Sequence, residues 1–221
     1  MKQGIVVINK PNGITSHDVV DKVRRKFKMR RVGHAGTLDP LATGVLVMLL
    51  GESTKLFSKF VGFDKAYRAT LILGTETTTA DTEGKIIKQL PFDHIGENDI
   101  QQIFKKFLGE SMQVPPMVSA VKIKGKKLYQ LARQGVEVDR PARNIRIDRL
   151  ELITFNLPEV EFYLECSKGT YVRQLAADIG KILGCGACIS QIERTKVGSF
   201  SIDDAVKIED LNESHIRHWS G

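Results

Sequence analysis

A glycine-rich loop that carries a single carboxylate is the feature that most constrains this chain. Residues 33–44 read GHAGTLDPLATG and lie between a strongly basic segment and an apolar run. Glycine permits positive φ and close approach of a ligand to the backbone, and Pro40 disfavours the helical region for Asp39. The loop therefore predicts a carboxylate held in a fixed orientation. From the loop alone, Asp39 could equally be a simple turn cap, which is common in Asp-Pro pairs.

The sequence on both sides predicts how this loop is anchored. After it, residues 45–50 form an apolar run that predicts a buried strand ended by Gly51. Before it, Ser16 is the predicted cap of a helix. Four apolar residues share one face of that helix: Val19, Val20, Val23 and Phe27. A carboxylate between two packed elements has the rigid support that a catalytic group requires.

The charge distribution predicts a polyanionic partner. The chain has 221 residues and a formal net charge of +7, from 33 Lys and Arg against 26 Asp and Glu. Basic residues cluster within residues 22–31, 122–127 and 140–149. A single cluster is usually a solvated face, but three of them in a chain of this length favour nucleic acid.

Composition and the amino-terminal sequence exclude several other classes. A hydrophobic content of 42% is enough for a substantial core, and residues 4–8 are too short an apolar run for a signal peptide or a membrane span. The sequence therefore predicts a soluble, cytoplasmic protein. Three cysteines do not suggest a disulfide framework. Cys185 and Cys188 have the spacing of half a zinc site, but no second pair follows at ligand spacing, so metal and redox roles are disfavoured.

The rest of the chain predicts alternating strands and helices. Residues 65–73 alternate with a period of two, which predicts a strand with Tyr67 first on its apolar face. Residues 113–143 predict a basic excursion from the domain body, with a hairpin at Lys124-Gly125 and a short helix that closes at Gly135. Further predicted elements follow in chain order: a helix around residues 100–108, strands around residues 145–155 and 160–166, a helix that opens after Tyr171, and a strand within residues 190–200.

Five separated blocks of sequence together resemble the bacterial tRNA pseudouridine-55 synthase family of the TruB type. The blocks are residues 9–18 (NKPNGITSHD), 33–44, 65–74 (KAYRATLILG), 114–135 (VPPMVSAVKIKGKKLYQLARQG) and 167–180 (SKGTYVRQLAADIG). They follow one another in order through nearly the whole chain, which is more specific than any single glycine loop. The resemblance implies an α+β pseudouridine synthase fold, with a long mixed, largely antiparallel sheet flanked by helices. Residues 113–143 are similar to the thumb-like insertion with which this family grips RNA.

The same resemblance implies the organisation of the chain and its partner. Residues 1–221 would form a single catalytic domain, without the PUA-like RNA-binding domain that family members usually carry at the carboxyl end. The implied partner is tRNA, contacted through its T-arm, and neither a protein nor a membrane partner is expected for this monomer. No cofactor is implied, because uridine and pseudouridine are isomers.

The resemblance also assigns the catalytic residues. Asp39 matches the essential aspartate and is the implied nucleophile, and Arg173 resembles the arginine that pairs with it and keeps it ionised. Tyr67 resembles the tyrosine that stacks on the target uracil. Its phenol is a weak base at its ordinary pKa of about 10, so removal of the C5 proton by Tyr67 is the less favoured role. From the residues alone, Arg173 could instead be a surface residue of its helix.

The substrate-binding residues are assigned in the same way. Tyr171 and Ile192 resemble the other walls of the uracil pocket, and His34 resembles the histidine that fills the space left by the flipped nucleotide. Gly36 and Thr37 belong to the same loop and are included with them, and Lys10 would contact phosphates. From the residues alone, Ile192 could be plain core and His34 a structural histidine.

Three classes of function therefore remain. The first is a tRNA pseudouridine synthase that acts on uridine 55 of the T-loop, and the second is an RNA-binding or RNA-folding protein with weak or lost isomerase activity. The third is a hydrolase that uses His34 and Asp39. The hydrolase is the least favoured, because no second carboxylate, Ser-His pair or metal cluster stands near Asp39 in sequence.

Overall fold

The computed structural model describes residues 2–119, 122–123, 125–128, 131, 134–136 and 138–219. The chain forms two compact units. The first unit comprises Met1–Tyr67 and Ile192–Gly221, and the second comprises Arg68–Gln191. Each unit is described by itself.

The first unit holds the amino-terminal elements and the end of the chain. Its elements are β1 (Gly4–Lys10), α1 (Ser16–Phe27), β2 (Val32–Ala35), β3 (Thr43–Leu50), α2 (Phe57–Val61) and the start of β4 (Lys65–Leu73). In the second unit, β4 is followed by β5 (Thr75–Thr77), β6 (Ile86–Gln89), α3 (Glu97–Phe107), β7 (Gly109–Gln113), β8 (Lys122–Ile123), β9 (Lys126–Lys127), β10 (Arg143–Asn156), β11 (Glu159–Cys166), α4 (Val172–Leu183) and the start of β12 (Ala187–Val197). The end of β12 and β13 (Phe200–Ser201) return to the first unit.

In the first unit, β3 is the central strand. It pairs antiparallel with β1 over the whole length of β1 and antiparallel with β2. It also pairs in parallel with β12, where Glu193 lies opposite Thr43 and Arg194 opposite Gly44. The core of this unit lies against β1 and β3, and an aromatic cluster closes it: Phe60, Phe63, Phe200 and Trp219. The Asp39 loop, residues 33–44, thus leads directly into a fully buried strand.

In the second unit, β10 is the long central strand. It pairs antiparallel with β11 and β7. Helix α3 packs against β10 and against α4, and the Phe104 and Phe162 rings meet edge to face at 5.8 Å between centroids. Strands β8 and β9 form the hairpin predicted around Lys124-Gly125. Lys124 itself and residues 129, 130, 132 and 133 of the predicted basic helix lie outside the described residues.

These pairings confirm the predicted fold class. Nine of the strands belong to a mixed, mostly antiparallel sheet, and the described residues include four α-helices. The predicted strand over residues 65–73 has the bounds of β4. Among the described residues, no helix combines the length and the apolar character that crossing a bilayer requires.

One predicted helix cap is wrong by one residue. Helix α1 is capped by Thr15, whose side chain accepts from the Asp18 N–H while the Asp18 carboxylate accepts from the Thr15 N–H at 2.8 Å. This reciprocal arrangement satisfies two backbone donors at the helix start. Ser16 lies one residue inside the helix and is buried, at 2% exposure. Its hydroxyl is therefore available for a tertiary contact.

Candidate active site

The buried hydroxyl of Ser16 holds the residue that precedes Asp39. Ser16 Oγ donates to the Leu38 carbonyl at 3.0 Å and accepts from the Leu38 N–H at 2.8 Å. Both backbone polar groups of Leu38 are thus satisfied by one side chain. Buried backbone groups that lose their partners are costly, so this contact fixes the Asp39 loop against α1.

Arg194 holds the residues earlier in the same loop. Its side chain is buried, at 2% exposure, although its chain neighbours Glu193 and Thr195 are only partly buried. Its Nε donates to the Val45 carbonyl at 2.8 Å, and its two terminal nitrogens donate to the Gly36 carbonyl at 3.0 Å and the Thr37 carbonyl at 3.4 Å. One planar cation therefore joins the loop to the start of β3.

Lys10 holds the residue that follows Asp39. Its side chain is fully buried, and its Nζ donates to the carbonyls of Pro11 at 2.8 Å and Pro40 at 3.1 Å. The sequence predicts a phosphate contact for this lysine. The structure instead places its ammonium inside the protein, where it supports the backbone beside the carboxylate.

The Asp39 loop is consequently held at every carbonyl from residue 36 to residue 40. The contacts described above account for four of them, and the Asp39 carbonyl accepts from the Ala42 N–H at 3.1 Å. The Gly13 N–H adds a second donor to the Pro40 carbonyl at 3.0 Å. Asp39 itself is half-buried. A half-buried carboxylate on such a backbone is presented at a set position, which is what a reactive group needs.

Tyr67 and Asp39 both interact electrostatically with the Arg194 guanidinium. Tyr67 is buried, at 7% exposure, and its phenol oxygen accepts a hydrogen bond from the guanidinium. Burial lowers the pKa of Arg194, and the Tyr67 interaction and the Asp39 charge oppose that shift. An arginine side chain stays protonated even so. The first unit thus places a cation within electrostatic reach of both the predicted nucleophile and the predicted stacking residue.

His34 lies in β2, at the beginning of the Asp39 loop. Burial lowers its pKa from the ordinary value, with the Arg194 charge as the next cause, so the imidazole is neutral near pH 7. Its Nδ1 is buried and has no hydrogen-bond partner among the described residues. His34, Gly36 and Thr37 line a cavity of about 440 Å³ together with His17 and Arg24. These three predicted binding residues therefore share one surface.

Ile192 lies on the same strand face as Arg194. Side chains two residues apart on a strand point to the same side, and both are buried, Ile192 at 8% exposure. Its carbonyl accepts from the Thr43 hydroxyl at 3.5 Å. This buried position is compatible with both predicted roles of Ile192, a core residue and a wall of the uracil pocket.

In the second unit, Arg173 is buried in a polar network. It is 4% exposed, which excludes the alternative of a surface helix residue. It donates to the Asp81 carboxylate at 3.1 Å, to the Thr79 carbonyl at 2.8 Å and to the Val118 carbonyl at 2.9 Å. Asp81 is 3% exposed and also accepts from the Glu83 N–H at 3.2 Å. The result is a buried ion pair with further hydrogen bonds to both partners.

Tyr171 precedes α4, the helix that carries Arg173, and its backbone is held by a buried amide. The Gln113 side chain accepts from the Tyr171 N–H at 2.8 Å and donates to the Tyr171 carbonyl at 3.2 Å. Gln113 is 4% exposed and ends β7. The start of α4 is thereby fixed to a neighbouring strand within the second unit.

The structure assembles most of the predicted site residues in one unit. The first unit contains Lys10, His34, Gly36, Thr37, Asp39, Tyr67 and Ile192, and the second contains Tyr171 and Arg173. The pairing of Arg173 with Asp39 stays a prediction, because the two residues belong to different units. The sequence reasoning missed the roles of Arg194, Asp81 and Gln113. Only Arg194 carried a signal, because it is a charged residue in phase with buried apolar positions of its strand.

The cysteines form no part of this arrangement. All three are buried, and none forms a disulfide in the described structure. Burial raises the pKa of the Cys185 and Cys188 thiols. Within the described ranges, no cluster of three or more His, Cys, Asp or Glu side chains is arranged to hold a metal ion.

Two family models match consecutive parts of the chain. Residues 24–172 match the amino-terminal domain of the TruB family pseudouridylate synthases, and residues 173–219 match the carboxyl-terminal domain of tRNA pseudouridylate synthase B. Together the two matches extend from α1 almost to the last residue. They include the Asp39 loop, Tyr67, Arg173 and Ile192.

Curated bacterial proteins are similar over most of the chain. The tRNA pseudouridine synthase B of Clostridium tetani is 48% identical over 216 residues, which is 98% of this chain and 75% of that protein. That of Alkaliphilus oremlandii is 49% identical over 94% of this chain and 69% of its own length. That of Opitutus terrae is 43% identical over 93% of this chain and 86% of its own length.

Solved structures share the fold. A chain in the crystal structure of a Cbf5–Nop10–Gar1 complex superposes with a TM-score of 0.74 and is 30% identical over 94% of this chain. A chain in an H/ACA ribonucleoprotein bound to a substrate RNA containing 2′-deoxyuridine superposes with a TM-score of 0.70 at 26% identity, again over 94% of this chain. This chain spans about half the length of those two solved chains, 53% and 52%.

Proposed function

The chain belongs to the TruB family of pseudouridylate synthases, and from this premise we propose that it converts uridine 55 in the T-loop of tRNA to pseudouridine. The coarser activity, tRNA pseudouridine synthesis, is the one that its curated relatives are named for. In our proposal, residues 1–221 act as one catalytic domain, and the chain works as a monomer in the cytoplasm. The tRNA T-arm is the partner.

The reaction needs no cofactor because it only rearranges bonds within one nucleotide. The bond between C1′ of the ribose and N1 of uracil breaks, and a bond between C1′ and C5 forms. C5 loses its proton and N1 gains one, so the composition is unchanged. The protein must hold the detached uracil and supply a group that acts on the sugar.

Asp39 is the group that acts on the nucleotide in this proposal. Its carboxylate either attacks C1′ directly or assists elimination to a glycal. Both routes require a carboxylate at a set distance from the sugar, because a misplaced nucleophile loses much of the benefit of proximity. The observation that carries the proposal is the attachment of all five carbonyls around Asp39 to buried donors of the first unit.

The surrounding side chains have corresponding roles. Tyr67 stacks on the target uracil, with its phenol oriented by Arg194, and Ile192 and Tyr171 provide further walls. Arg173 pairs with the Asp39 carboxylate. His34 fills the space that the extracted nucleotide leaves, and a neutral imidazole enters a base stack at lower desolvation cost than a charged one.

The basic surface of the first unit binds the RNA backbone. Lys22, Arg25 and Lys26 are exposed on α1, outside its buried apolar face. Contacts with phosphates position the RNA without reading its sequence, so the shape of the T-loop and the extracted base provide the specificity. The insertion at residues 113–143 adds an RNA grip in this proposal.

Release of hydrogen from C5 tests the function. tRNA transcribed with tritium at uridine C5 should release one label per modified site to water, without strand cleavage. A tRNA with cytidine at position 55 should release none from the T-loop and serves as the substrate control. Tight binding without release would leave an RNA-binding protein, and cleavage of the RNA would indicate the hydrolase.

A further inference from the structure

We propose that Arg194 is a positioning residue of this isomerase, which holds the Tyr67 phenol and the Asp39 backbone in one fixed arrangement. The inference rests on the proposed function, since it assigns a role within the same reaction. It adds a residue that lies outside the predicted site and that the sequence presents only as one position of a strand.

The hydrogen bonds of Arg194 point in several directions from one rigid plane. A guanidinium carries five N–H donors in a fixed planar geometry. In Arg194, these donors reach the Val45, Gly36 and Thr37 carbonyls and the Tyr67 phenol oxygen. The backbone that precedes Asp39 and the side chain of Tyr67 are therefore bound to the same planar group. If either the loop backbone or the Tyr67 side chain shifted, it would lose its hydrogen bond to the Arg194 guanidinium, which also holds the other.

The backbone of Arg194 is fixed as firmly as its side chain. It pairs in parallel with Gly44 at the start of β3. A Cβ on Gly44 would lie 2.4 Å from the Arg194 carbonyl oxygen, so only glycine permits this approach. The Arg194 backbone thus lies beside Gly44 at the end of the Asp39 loop, and its guanidinium binds the carbonyls of Gly36 and Thr37 near the start of that loop.

The cost of burying this cation argues for a functional role. Removing a guanidinium from water is unfavourable, and apolar residues of similar volume often stabilise a core as well or better. At 2% exposure, Arg194 lies beside the apolar strand β3, whose Val45 carbonyl it binds. What an apolar residue could not provide is a fixed donor to the phenol and a positive charge near Asp39.

Replacing Arg194 by lysine separates the effect of its positive charge from the effect of its planar set of donors. Arg194→Lys keeps the charge but has one ammonium in place of the planar fork, so it cannot bind both the loop carbonyls and the phenol in the same geometry. Arg194→Gln removes the charge and keeps a short polar group. Arg217→Lys is the matched control, because Arg217 is a half-exposed arginine of the same unit that binds Asp204 at 2.9 Å.

Single-turnover tritium release at saturating tRNA is the measurement, at a temperature where circular dichroism and tRNA binding show each variant folded. We expect Arg194→Lys to slow release about 100-fold, as small misplacements of reacting groups do. Arg194→Gln should be slower still. The tRNA dissociation constants should stay within a few-fold of the parent, and Arg217→Lys should release label at the parent rate.

A double-mutant cycle with Tyr67→Phe tests the route through the phenol. If Arg194 acts through the phenol oxygen, the two substitutions share one effect, and Tyr67→Phe with Arg194→Lys should be no slower than the slower single variant. Losses that multiply would overturn the proposal, and so would a parent-like rate in Arg194→Lys. Absence of release from the parent protein would instead overturn the proposed function itself.

Discussion

Among the described residues, each unit has one buried arginine, and the two are stabilised in different ways. Arg194 in the first unit donates to three backbone carbonyls and a phenol oxygen. Arg173 in the second unit forms an ion pair with a buried carboxylate and donates to two carbonyls. One cation is bound by the dipoles of a loop, the other by a fixed opposite charge.

This difference teaches what each arginine can contribute. Carbonyl acceptors make Arg194 a brace for the backbone, so its loss should alter geometry around Asp39. A carboxylate partner makes Arg173 part of a neutralised pair, whose disruption leaves an uncompensated charge in the interior. Substitutions near Arg194 should therefore act mainly on catalysis, and substitutions that break the Asp81–Arg173 pair should act strongly on folding.

The largest expected effect comes from removing the carboxylate beside the Arg194 brace. Asp39→Asn should reduce tritium release by roughly four orders of magnitude or more, as removal of a reacting group does. Its tRNA affinity should stay within a few-fold, because the brace does not depend on the carboxylate. Asp203→Asn, an exposed acid of the same unit, changes the net charge equally and should leave release unchanged. Residual release within tenfold of the parent would exclude Asp39 as the nucleophile.

The next effect concerns folding in the second unit. Asp81→Asn removes the charge that compensates Arg173 and should lower the free energy of unfolding by about 3–5 kcal/mol, the usual result of breaking a buried pair. Urea denaturation at neutral pH measures the change.

The control for Asp81 is an exposed pair in the same unit. Asp148 lies 2.7 Å from Arg146, with both side chains more than 40% exposed. Asp148→Asn should leave the urea midpoint nearly unchanged, since exposed pairs contribute little. Equal midpoint shifts for the two variants would show that burial does not distinguish the pairs.

A smaller effect should follow from releasing the Asp39 loop at Ser16. Ser16→Ala leaves the buried N–H and carbonyl of Leu38 without their shared partner, at a cost of about 1–3 kcal/mol of unfolding free energy. Single-turnover release should also slow, because the loop gains freedom next to Asp39. Ser58→Ala, at an exposed position of α2, provides the control. A loss of stability with a normal rate would show that Arg194 and Lys10 hold the loop without Ser16.

The smallest effect is a pH dependence at His34. Burial lowers its pKa, so the folded protein binds this proton only at lower pH than the unfolded chain, which titrates at about pH 6.5. The stabilisation is present above that pH and is lost as the pH falls. In His34→Gln, the unfolding free energy should fall less steeply between about pH 7 and pH 5, as measured by urea titrations. His94→Gln, at an exposed site of the second unit, should keep the parent slope, and an identical slope in both variants would contradict the assignment.

Periodicity and local chemistry predicted the elements well and the tertiary polar contacts poorly. The strand at Lys65–Leu73 follows from the alternation of apolar side chains, which records burial directly. Asp81 and Gln113 lie in polar segments where many side chains could face solvent. Their importance arises from Arg173 and from the Tyr171 backbone, which are 92 and 58 residues away in sequence. No local pattern encodes a partner at that distance.

Lys10 and Ser16 show a second reason for missed predictions. A lysine in a basic chain is normally exposed, and a serine before a helix is normally its cap. Both expectations fail here because each side chain has a better partner, a carbonyl or peptide unit of the Asp39 loop. Local preference gives way where one buried loop recruits polar groups from several elements. The candidate site is thus the region where sequence patterns are the least reliable guide to contacts.

The donors around Asp39 also determine which molecule moves when substrate arrives. Because every carbonyl from residue 36 to residue 40 already has a donor, the loop has no ready alternative pattern of hydrogen bonds to adopt. The conformational change of the reaction then takes place in the RNA, whose uridine must leave its stack to reach the carboxylate. Such an isomerase would select among RNA loops by their deformability, and a stiff loop of correct sequence would be a poor substrate.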